Sequence, residues 1–206
     1  MGNMTAHLLL ILGLLVFSYT TAYNSKIPSF NSLVKSKSKL QSFDGIDSIQ
    51  IIDTSFNLAA GNLVIGTTFG LLENLKNKAA KVFGAGAIVF TVIGLFFGYQ
   101  TASLRLTFDS DSFSVVKSDT LVAGTNPVVG GSNSWKYDSI VDYDFLPSQN
   151  FPILLYFKET QTPKENWVEI PITIDKAEGQ QHFLPSIASV DQLVKSFESH
   201  GIKKVH

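Results

Sequence analysis

The sequence predicts an α+β fold, in which a transmembrane helical hairpin precedes a small antiparallel β domain that a C-terminal amphipathic helix closes. Two long stretches in the first half of the chain, 56–72 and 82–103, contain no charged residue. From Leu104 onward the apolar residues alternate with polar ones, which is the period of a half-buried strand. Near the C-terminus the apolar spacing returns to that of a helix.

The hairpin is predicted over 56–103. Its second part, 82–103, is long, uncharged and rich in Gly and Phe, as expected of a transmembrane helix. The first part, 56–72, contains two Asn and two Thr and therefore leaves three alternatives open: a second span, a re-entrant segment or a buried helix. The spacing of Gly66 and Gly70 favours close helix packing, and a short connection makes the pair antiparallel.

The N-terminal region is predicted to be a targeting leader. Residues 1–22 resemble a signal peptide, because the apolar core 8–17 is too short to span a bilayer and small residues follow it up to Ala22. Residues 23–43 are rich in Ser and Lys and contain no acid, as in transit peptides. Together they resemble the bipartite presequence of algae with red-lineage plastids. The alternative is a plain signal peptide followed by a polar linker.

The β domain is predicted over 104–206. Residues 104–117 fit a β-hairpin with a turn at the Asp-Ser-Asp-Ser cluster, and alternation over 135–145 predicts one or two further strands. The continuous apolar run 152–157 predicts a buried strand. Residues 167–175 alternate again, and Pro171 assigns that strand to a sheet edge.

The C-terminal helix is predicted from its ends and its apolar stripe. Ser189 and Gln192 have the spacing of a capping box, and Gly201 is a stop signal. The stripe consists of Val190, Leu193, Val194 and Phe197. About six antiparallel strands closed by one such helix, just after a membrane hairpin, resemble the bacterial membrane-tethered pleckstrin-homology-like domains. This resemblance concerns the fold and carries no chemistry.

A more specific resemblance lies in five segments of the second half: 126–131, 135–137, 151–163, Trp167 and 179–183. They are similar to an uncharacterised family of cyanobacterial and plastid membrane proteins, catalogued as the domain of unknown function DUF3119, over roughly residues 80–202. The string Tyr-Phe-Lys-Glu-Thr-Gln-Thr-Pro is the most specific of these motifs. The resemblance implies a thylakoid or other plastid membrane and a link to photosystem biogenesis, photosystem I in particular.

Composition and spacing argue against most catalytic chemistry. The chain has no cysteine, which excludes disulfides, thiol catalysis and Cys-ligated metals. Its net charge of −1 argues against nucleic-acid binding. No two histidines have metal-ligand spacing, and His182 is expected to be structural. The acidic residues Asp138, Asp142 and Asp144 fit the solvated face of a strand better than a cation site or a general base. No catalytic residue, cofactor site or metal site is therefore predicted.

The residues with the best claim to function are candidates for partner binding. The apolar loop tip at Val128 and Val129 is expected to dock a partner or the membrane surface, and the polar string 158–163 is expected to be an exposed loop. The string is equally compatible with a plain hairpin turn. The predicted partner-binding residues are Val128, Val129, Trp135, Lys158, Glu159, Thr160, Gln161, Thr162 and Pro163.

The expected function is a non-enzymatic, membrane-anchored accessory or assembly factor for a photosynthetic complex, photosystem I being favoured, in the plastid thylakoid. Its expected partners are the membrane and thylakoid proteins, and no cofactor is expected. The alternative is a membrane-tethered domain that binds a lipid or a pigment.

Overall fold

The structure is a computed structural model that describes residues 49–73, 80–126, 128–168, 170, 172 and 174–205. The predicted signal peptide (1–22) and transit-like segment (23–43) lie outside the described residues. The α+β class is confirmed. The helices are α1 (Asn57–Glu73), α2 (Ala80–Ser103) and α3 (Val190–Ser199). The strands are β1 (Gln50–Ile51), β2 (Leu104–Phe108), β3 (Ser112–Lys117), β4 (Ser134–Lys136), β5 (Ile140–Ser148), β6 (Phe151–Glu159), β7 (Gln180–Pro185) and β8 (Lys203–Lys204).

Helices α1 and α2 pack against each other in antiparallel directions through small residues. A Cβ added at Gly66 would lie 2.7 Å from Oγ1 of Thr91, and one added at Gly94 would lie 2.8 Å from Cγ of Leu63. The Phe69 ring packs edge-on against Phe90, with ring centroids 5.6 Å apart. The glycines thus permit a backbone approach that larger side chains would prevent. Within the described residues, α2 is the one helix that by length and composition could cross a membrane.

The first sheet has the strand order β1-β2-β3-β4. Strands β2 and β3 form the predicted antiparallel hairpin, with Leu106 opposite Val115. The turn between them is held by Asp109, whose Oδ1 accepts hydrogen bonds from the backbone N–H groups of Asp111 and Ser112. This confirms the turn at the Asp-Ser-Asp-Ser cluster.

The second sheet has the order β7-β6-β5-β8. Its pairs are antiparallel except β5 and β8, which are parallel. The buried strand predicted over 152–157 is confirmed as the centre of β6. The strand predicted over 167–175 is not present in the residues described there, none of which is in a strand. The strand that pairs with β6 on the side away from β5 is β7, whose polar residues at 180–182 do not give a strand pattern in the sequence.

The main core lies between the two sheets and α3. It is largely aromatic, and Phe197 of α3 packs on Phe113 and Tyr143 at centroid distances of 5.1 and 4.5 Å. A second, smaller cluster covers the other face of β6 and β7, where Ile170, Ile172 and Ile174 pack. The three isoleucines therefore share a face, as predicted, without being placed in a strand.

The apolar stripe of α3 is confirmed, since Leu193 and Phe197 are fully buried. The capping box is wrong: the Ser189 side chain makes no capping hydrogen bond. Gln192 instead reaches across to the segment before α1, where its Oε1 accepts from the N–H of Asp53 (2.8 Å) and its Nε2 donates to Oδ2 of Asp53 (2.7 Å). A tertiary contact thus takes the place of a local one.

Candidate functional site

The string 158–163 is not one exposed loop, and that expectation is wrong for its first two residues. Lys158 and Glu159 belong to the end of β6 and have exposures of 2% and 0%. The exposed members are Thr160, Gln161 and Pro163. Because strand residues alternate in direction, Lys158 and Glu159 point to opposite faces of the second sheet. Each enters a separate polar cluster.

Glu159 is the centre of the cluster on the core side. Its Oε1 lies 2.8 Å from Nε2 of His182 and accepts from Oγ1 of Thr162 (2.6 Å), while its Oε2 accepts from the Thr162 N–H (2.8 Å). The His182 ring is stacked on Phe157 and lies against Trp135. Burial alone would raise the pKa of the Glu159 carboxyl, but these hydrogen bonds outweigh it and lower the pKa. These contacts hold the buried His182 ring in a fixed position.

Lys158 is the centre of the cluster on the opposite face. Its Nζ donates to Oδ1 of Asp175 and to the carbonyl of Ala177 (2.7 Å), while the Tyr156 hydroxyl donates to Oδ2 of Asp175 (2.5 Å). Burial works against the charged Asp175 carboxylate, yet these donors lower its pKa overall. These hydrogen bonds hold the segment 175–177 against β6, beside the smaller apolar cluster to which Tyr156 belongs.

The expectation that Asp138, Asp142 and Asp144 form a solvated strand face is only partly met. Asp138 is exposed, but Asp144 is buried and Asp142 is half-buried. Burial, followed by the neighbouring charges of Asp175 and Asp144, raises the pKa of Asp142 to about 6 against the opposing effect of Lys158. Among the described residues, no group of three or more His, Asp or Glu side chains could hold a metal ion.

Gln161 connects the two sheets at the edge of β4. Its Oε1 accepts from the N–H of Lys136, and its Nε2 donates to the carbonyl of Ser134, each at 3.0 Å. The side-chain amide therefore takes the hydrogen-bonding positions that a further strand would occupy on this edge. Trp135, between these two residues, is 2% exposed and packs into the core, so the expectation that it contacts a partner does not fit its position.

The loop before β4 carries the other predicted residues. Val128 is 51% exposed, and Val129 is half-buried. Oδ1 of Asn126 accepts from the N–H groups of Val128 (2.9 Å) and Val129 (3.3 Å), which fixes the tip as a turn. The loop continues into β4, Gln161 contacts the edge of that strand, and Thr160 donates to the carbonyl of Ser139 shortly after it. We call Val128, Thr160, Gln161 and Pro163 the β4 surface.

A cleft of about 800 Å³ lies where α1 and α2 meet the second sheet, and sequence reasoning did not find it. Its apolar wall comes from one stripe on each helix, represented by Ile65 and Phe97, and from Ile153 at the start of β6. Its polar wall includes Asn57, Asn62, Gln149, Asn150 and Asp191. The sequence feature that could have indicated this cleft is the pair Asn57 and Asn62 in the otherwise apolar helix α1.

Comparison of the chain with curated proteins and with solved structures gives no significant match. A family model described as "Protein of unknown function (DUF3119)" matches residues 50–201. This range contains the three described helices, strands β1 to β7, the β4 surface and the cleft. It begins well before residue 126, where the first of the sequence motifs lies. The chain belongs to this family of unknown function, DUF3119.

Proposed function

We propose that this protein is a non-enzymatic, membrane-anchored accessory or assembly factor for a photosynthetic complex in the plastid thylakoid, with photosystem I as the favoured partner. The observation that carries the membrane part of the proposal is the large exposed aliphatic surface of α2. Only 17% of its most apolar 18-residue window is buried within the protein. Val82, Ile88 and Leu95 are 71%, 69% and 61% exposed.

An aliphatic surface of this kind needs an apolar environment. A core helix of a water-soluble protein would be mostly buried, whereas lipid would cover these side chains here. At about 1.5 Å per residue, the 24 residues of α2 extend roughly 36 Å, enough to cross the hydrocarbon core. Helix α1, with 17 residues, lies at the lower limit of a span. The proposal therefore includes a transmembrane hairpin, α2 being its better supported half.

Exposed aromatic side chains support a membrane boundary where the helices join the β domain. Phe56 precedes α1, Tyr99 lies in the last turns of α2, and Phe151 lies at the β5–β6 turn; each is more than half exposed. Aromatic residues are common at the bilayer interface. At this end of α2, Arg105 donates to the carbonyls of Thr101 (2.9 Å) and Ala102 (3.3 Å).

The finer fold assignment is part of the proposal. Two four-stranded sheets enclosing one aromatic core, with α3 packed into it, are compatible with a pleckstrin-homology-like architecture. The plastid and photosystem parts are supported by the Ser- and Lys-rich leader and by the resemblance of the chain's motifs to plastid and cyanobacterial membrane proteins. The β4 surface is the docking site in this proposal, because its side chains are exposed on a backbone that Gln161 and Asn126 hold in place.

The test is affinity isolation of the full, tagged chain from plastid membranes in a mild detergent. The variant Val128→Asp with Thr160→Arg places two charges on the β4 surface without changing a buried residue. Lys195→Asp, on the exposed side of α3, is the control. We expect photosystem subunits or assembly intermediates to be isolated with the wild type and the control and to be lost with the double variant. Isolation of the chain alone, together with normal photosystem levels after its deletion, would refute the proposal.

A further inference from the structure

We propose that the cleft between the helix pair and the second sheet is a binding site for a membrane lipid with an uncharged, hydroxyl-bearing headgroup. The inference uses a surface other than the β4 surface. It rests on the membrane placement proposed above, because the lipid would enter from the bilayer.

The shape of the cleft fits an amphipathic ligand. A volume of about 800 Å³ lies within the range of roughly 300–1,000 Å³ that is typical of small-molecule sites. The lining residues of α1 run from Asn57 to Ile65, and those of α2 from Phe90 to Phe97. Eight and seven residue steps of helix correspond to about 12 and 10 Å, so the cleft extends roughly two turns along both helices from the β domain. An acyl chain can lie along these stripes.

The polar wall of the cleft lies at the end that faces the β domain. It combines the start of α1, the β5–β6 turn and the start of α3, and it supplies amides, hydroxyls and one carboxylate. Nδ2 of Asn62 donates to the carbonyl of Leu58 (2.8 Å), which leaves the amide oxygen and a second N–H for a ligand. Such groups can both donate to and accept from the hydroxyls of a headgroup.

Charge selects among the possible headgroups. Among the described residues that line the cleft, Asp191 is the only one with a charge. Lys204 donates to Oε1 of the lining residue Gln149 (2.8 Å) and also lies 3.8 Å from Oδ1 of Asp144. Of the cleft lining that the structure describes, a phosphate or sulfate headgroup would therefore meet a carboxylate and neither a lysine nor an arginine. A sugar-like headgroup can donate hydroxyl hydrogens to Asp191 and to the amide oxygens instead.

Gly61 provides a direct way to fill the cleft. It lines the cavity, and a Cβ added there meets no atom within 4 Å. Gly61→Leu therefore adds a side chain to the cleft lining with open space around its Cβ, and it raises the helix propensity of α1. Ala60→Leu is the matched control, because Ala60 is the adjacent exposed residue and does not line the cleft.

The experiment uses the full chain reconstituted in bilayer discs that contain equal amounts of a galactosyl diacylglycerol, a phosphatidylcholine and a phosphatidylglycerol. After transfer into excess detergent, the lipids retained by the protein are quantified by mass spectrometry. We expect preferential retention of the galactolipid by the wild type and Ala60→Leu, and a roughly tenfold or greater loss with Gly61→Leu. Asp191→Asn is expected to weaken the discrimination against phosphatidylglycerol.

Three outcomes would overturn the inference: equal retention of the three lipids, preference for either phospholipid, or no effect of Gly61→Leu. Alkaline extraction of plastid membranes that contain the full chain separates this inference from the proposed function. A chain that resists extraction and retains no galactolipid refutes the lipid site alone. A chain that alkali releases refutes the membrane anchor and, with it, the lipid site.

Discussion

Nε2 of His182, on β7, lies 2.8 Å from Oε1 of Glu159, on β6, and the two side chains are 7% and 0% exposed. The pair is diagonal across the two strands, since Glu159 is opposite Gln180 and His182 is opposite Phe157. A buried carboxylate is tolerated only when its oxygens are satisfied. Thr162 supplies the remaining donors, and the backbone turn after β6 is thereby tied to the end of the core.

Replacement of Glu159 should destabilise the domain. Glu159→Ala removes the acceptor for His182, for the Thr162 hydroxyl and for the Thr162 N–H. Leaving a buried polar group without its hydrogen-bond partner costs about 1–3 kcal/mol of unfolding free energy. Denaturant unfolding in detergent, followed by tryptophan fluorescence, measures this change. Glu178→Ala is the control: the Lys164–Glu178 ion pair is 70% and 78% exposed, and we expect no measurable effect. An unchanged free energy of unfolding in Glu159→Ala would contradict this structural role.

The same carboxylate predicts a loss of stability in acid. The folded-state pKa of Glu159 lies below its ordinary value of 4.5, and that of Asp175 lies below 3.8. Their contribution to stability is therefore complete above these ordinary values and is lost as the pH falls through the lowered folded-state values. Tm measured from pH 6 downward should decline below about pH 4.5. Glu159→Gln should flatten this decline, and an unchanged slope would refute the assignment.

Asp142 should have the opposite pH dependence. The pKa of its carboxyl is raised to about 6, mainly by burial and then by Asp175 and Asp144, so the folded state binds the proton more tightly than the unfolded state. Unfolding then becomes easier as the pH rises from about 4 to above 6. Asp142→Asn should stabilise the domain at pH 8 by on the order of 1 kcal/mol after solvent screening, and by nothing at pH 3.5. Equal effects at both pH values would contradict this.

The local patterns in the sequence predict local structure well. The alternation over 104–117 and the apolar run over 152–157 give the correct strands, because their side-chain periods reflect burial on a sheet. The alternation of Ile170, Ile172 and Ile174 has the same period, yet what it reflects is a shared packing surface on the smaller cluster. Periodicity identifies which side chains are covered and does not establish backbone pairing.

The candidate sites are harder to predict, because they join residues distant in the sequence. Lys158 and Glu159 are charged and follow an apolar run, so they suggest exposure. The partner of Glu159, His182, becomes its neighbour through the β6–β7 pairing, and the partner of Lys158, Asp175, lies in the segment before β7. The cleft joins α1, the β5–β6 turn and the start of α3, which no sequence window contains together. The asparagines of α1 are its one local signal.

The N-terminus of α3 provides a test of local against tertiary contacts. The capping-box pattern predicts that Ser189→Ala would cost on the order of 1 kcal/mol of stability. In the structure the Ser189 side chain makes no such bond, whereas Gln192 makes two hydrogen bonds to Asp53. We therefore expect Gln192→Ala to be more destabilising than Ser189→Ala in denaturant unfolding. Gln192→Ala should also increase hydrogen exchange at the Asp53 amide. A larger loss of stability in Ser189→Ala than in Gln192→Ala would support the capping box instead.

The register of the helix pair can be tested by cross-linking, because the chain has no cysteine of its own. A Cβ added at Gly98 would lie 3.8 Å from Cβ of Ala59, and one added at Gly70 would lie 3.8 Å from Cβ of Ala87. These separations match the Cβ–Cβ distance of roughly 3.5–4.5 Å in disulfides. We expect Ala59→Cys with Gly98→Cys, and Gly70→Cys with Ala87→Cys, to form intramolecular disulfides under mild oxidation in membranes.

The crossed combination of the same positions is the control for this experiment. In Ala59→Cys with Ala87→Cys, the second cysteine faces Gly70, which is eleven residues or roughly 16 Å along α1 from Ala59. This pair should remain reduced, as judged by the electrophoretic mobility of the unreduced protein after thiol alkylation. Cross-linking of the crossed pair, or its absence in both matched pairs, would contradict the antiparallel packing. Efficient formation of both matched disulfides would establish which faces of α1 and α2 line the cleft, because the lining residues Leu58 and Phe97 are sequence neighbours of the first linked pair.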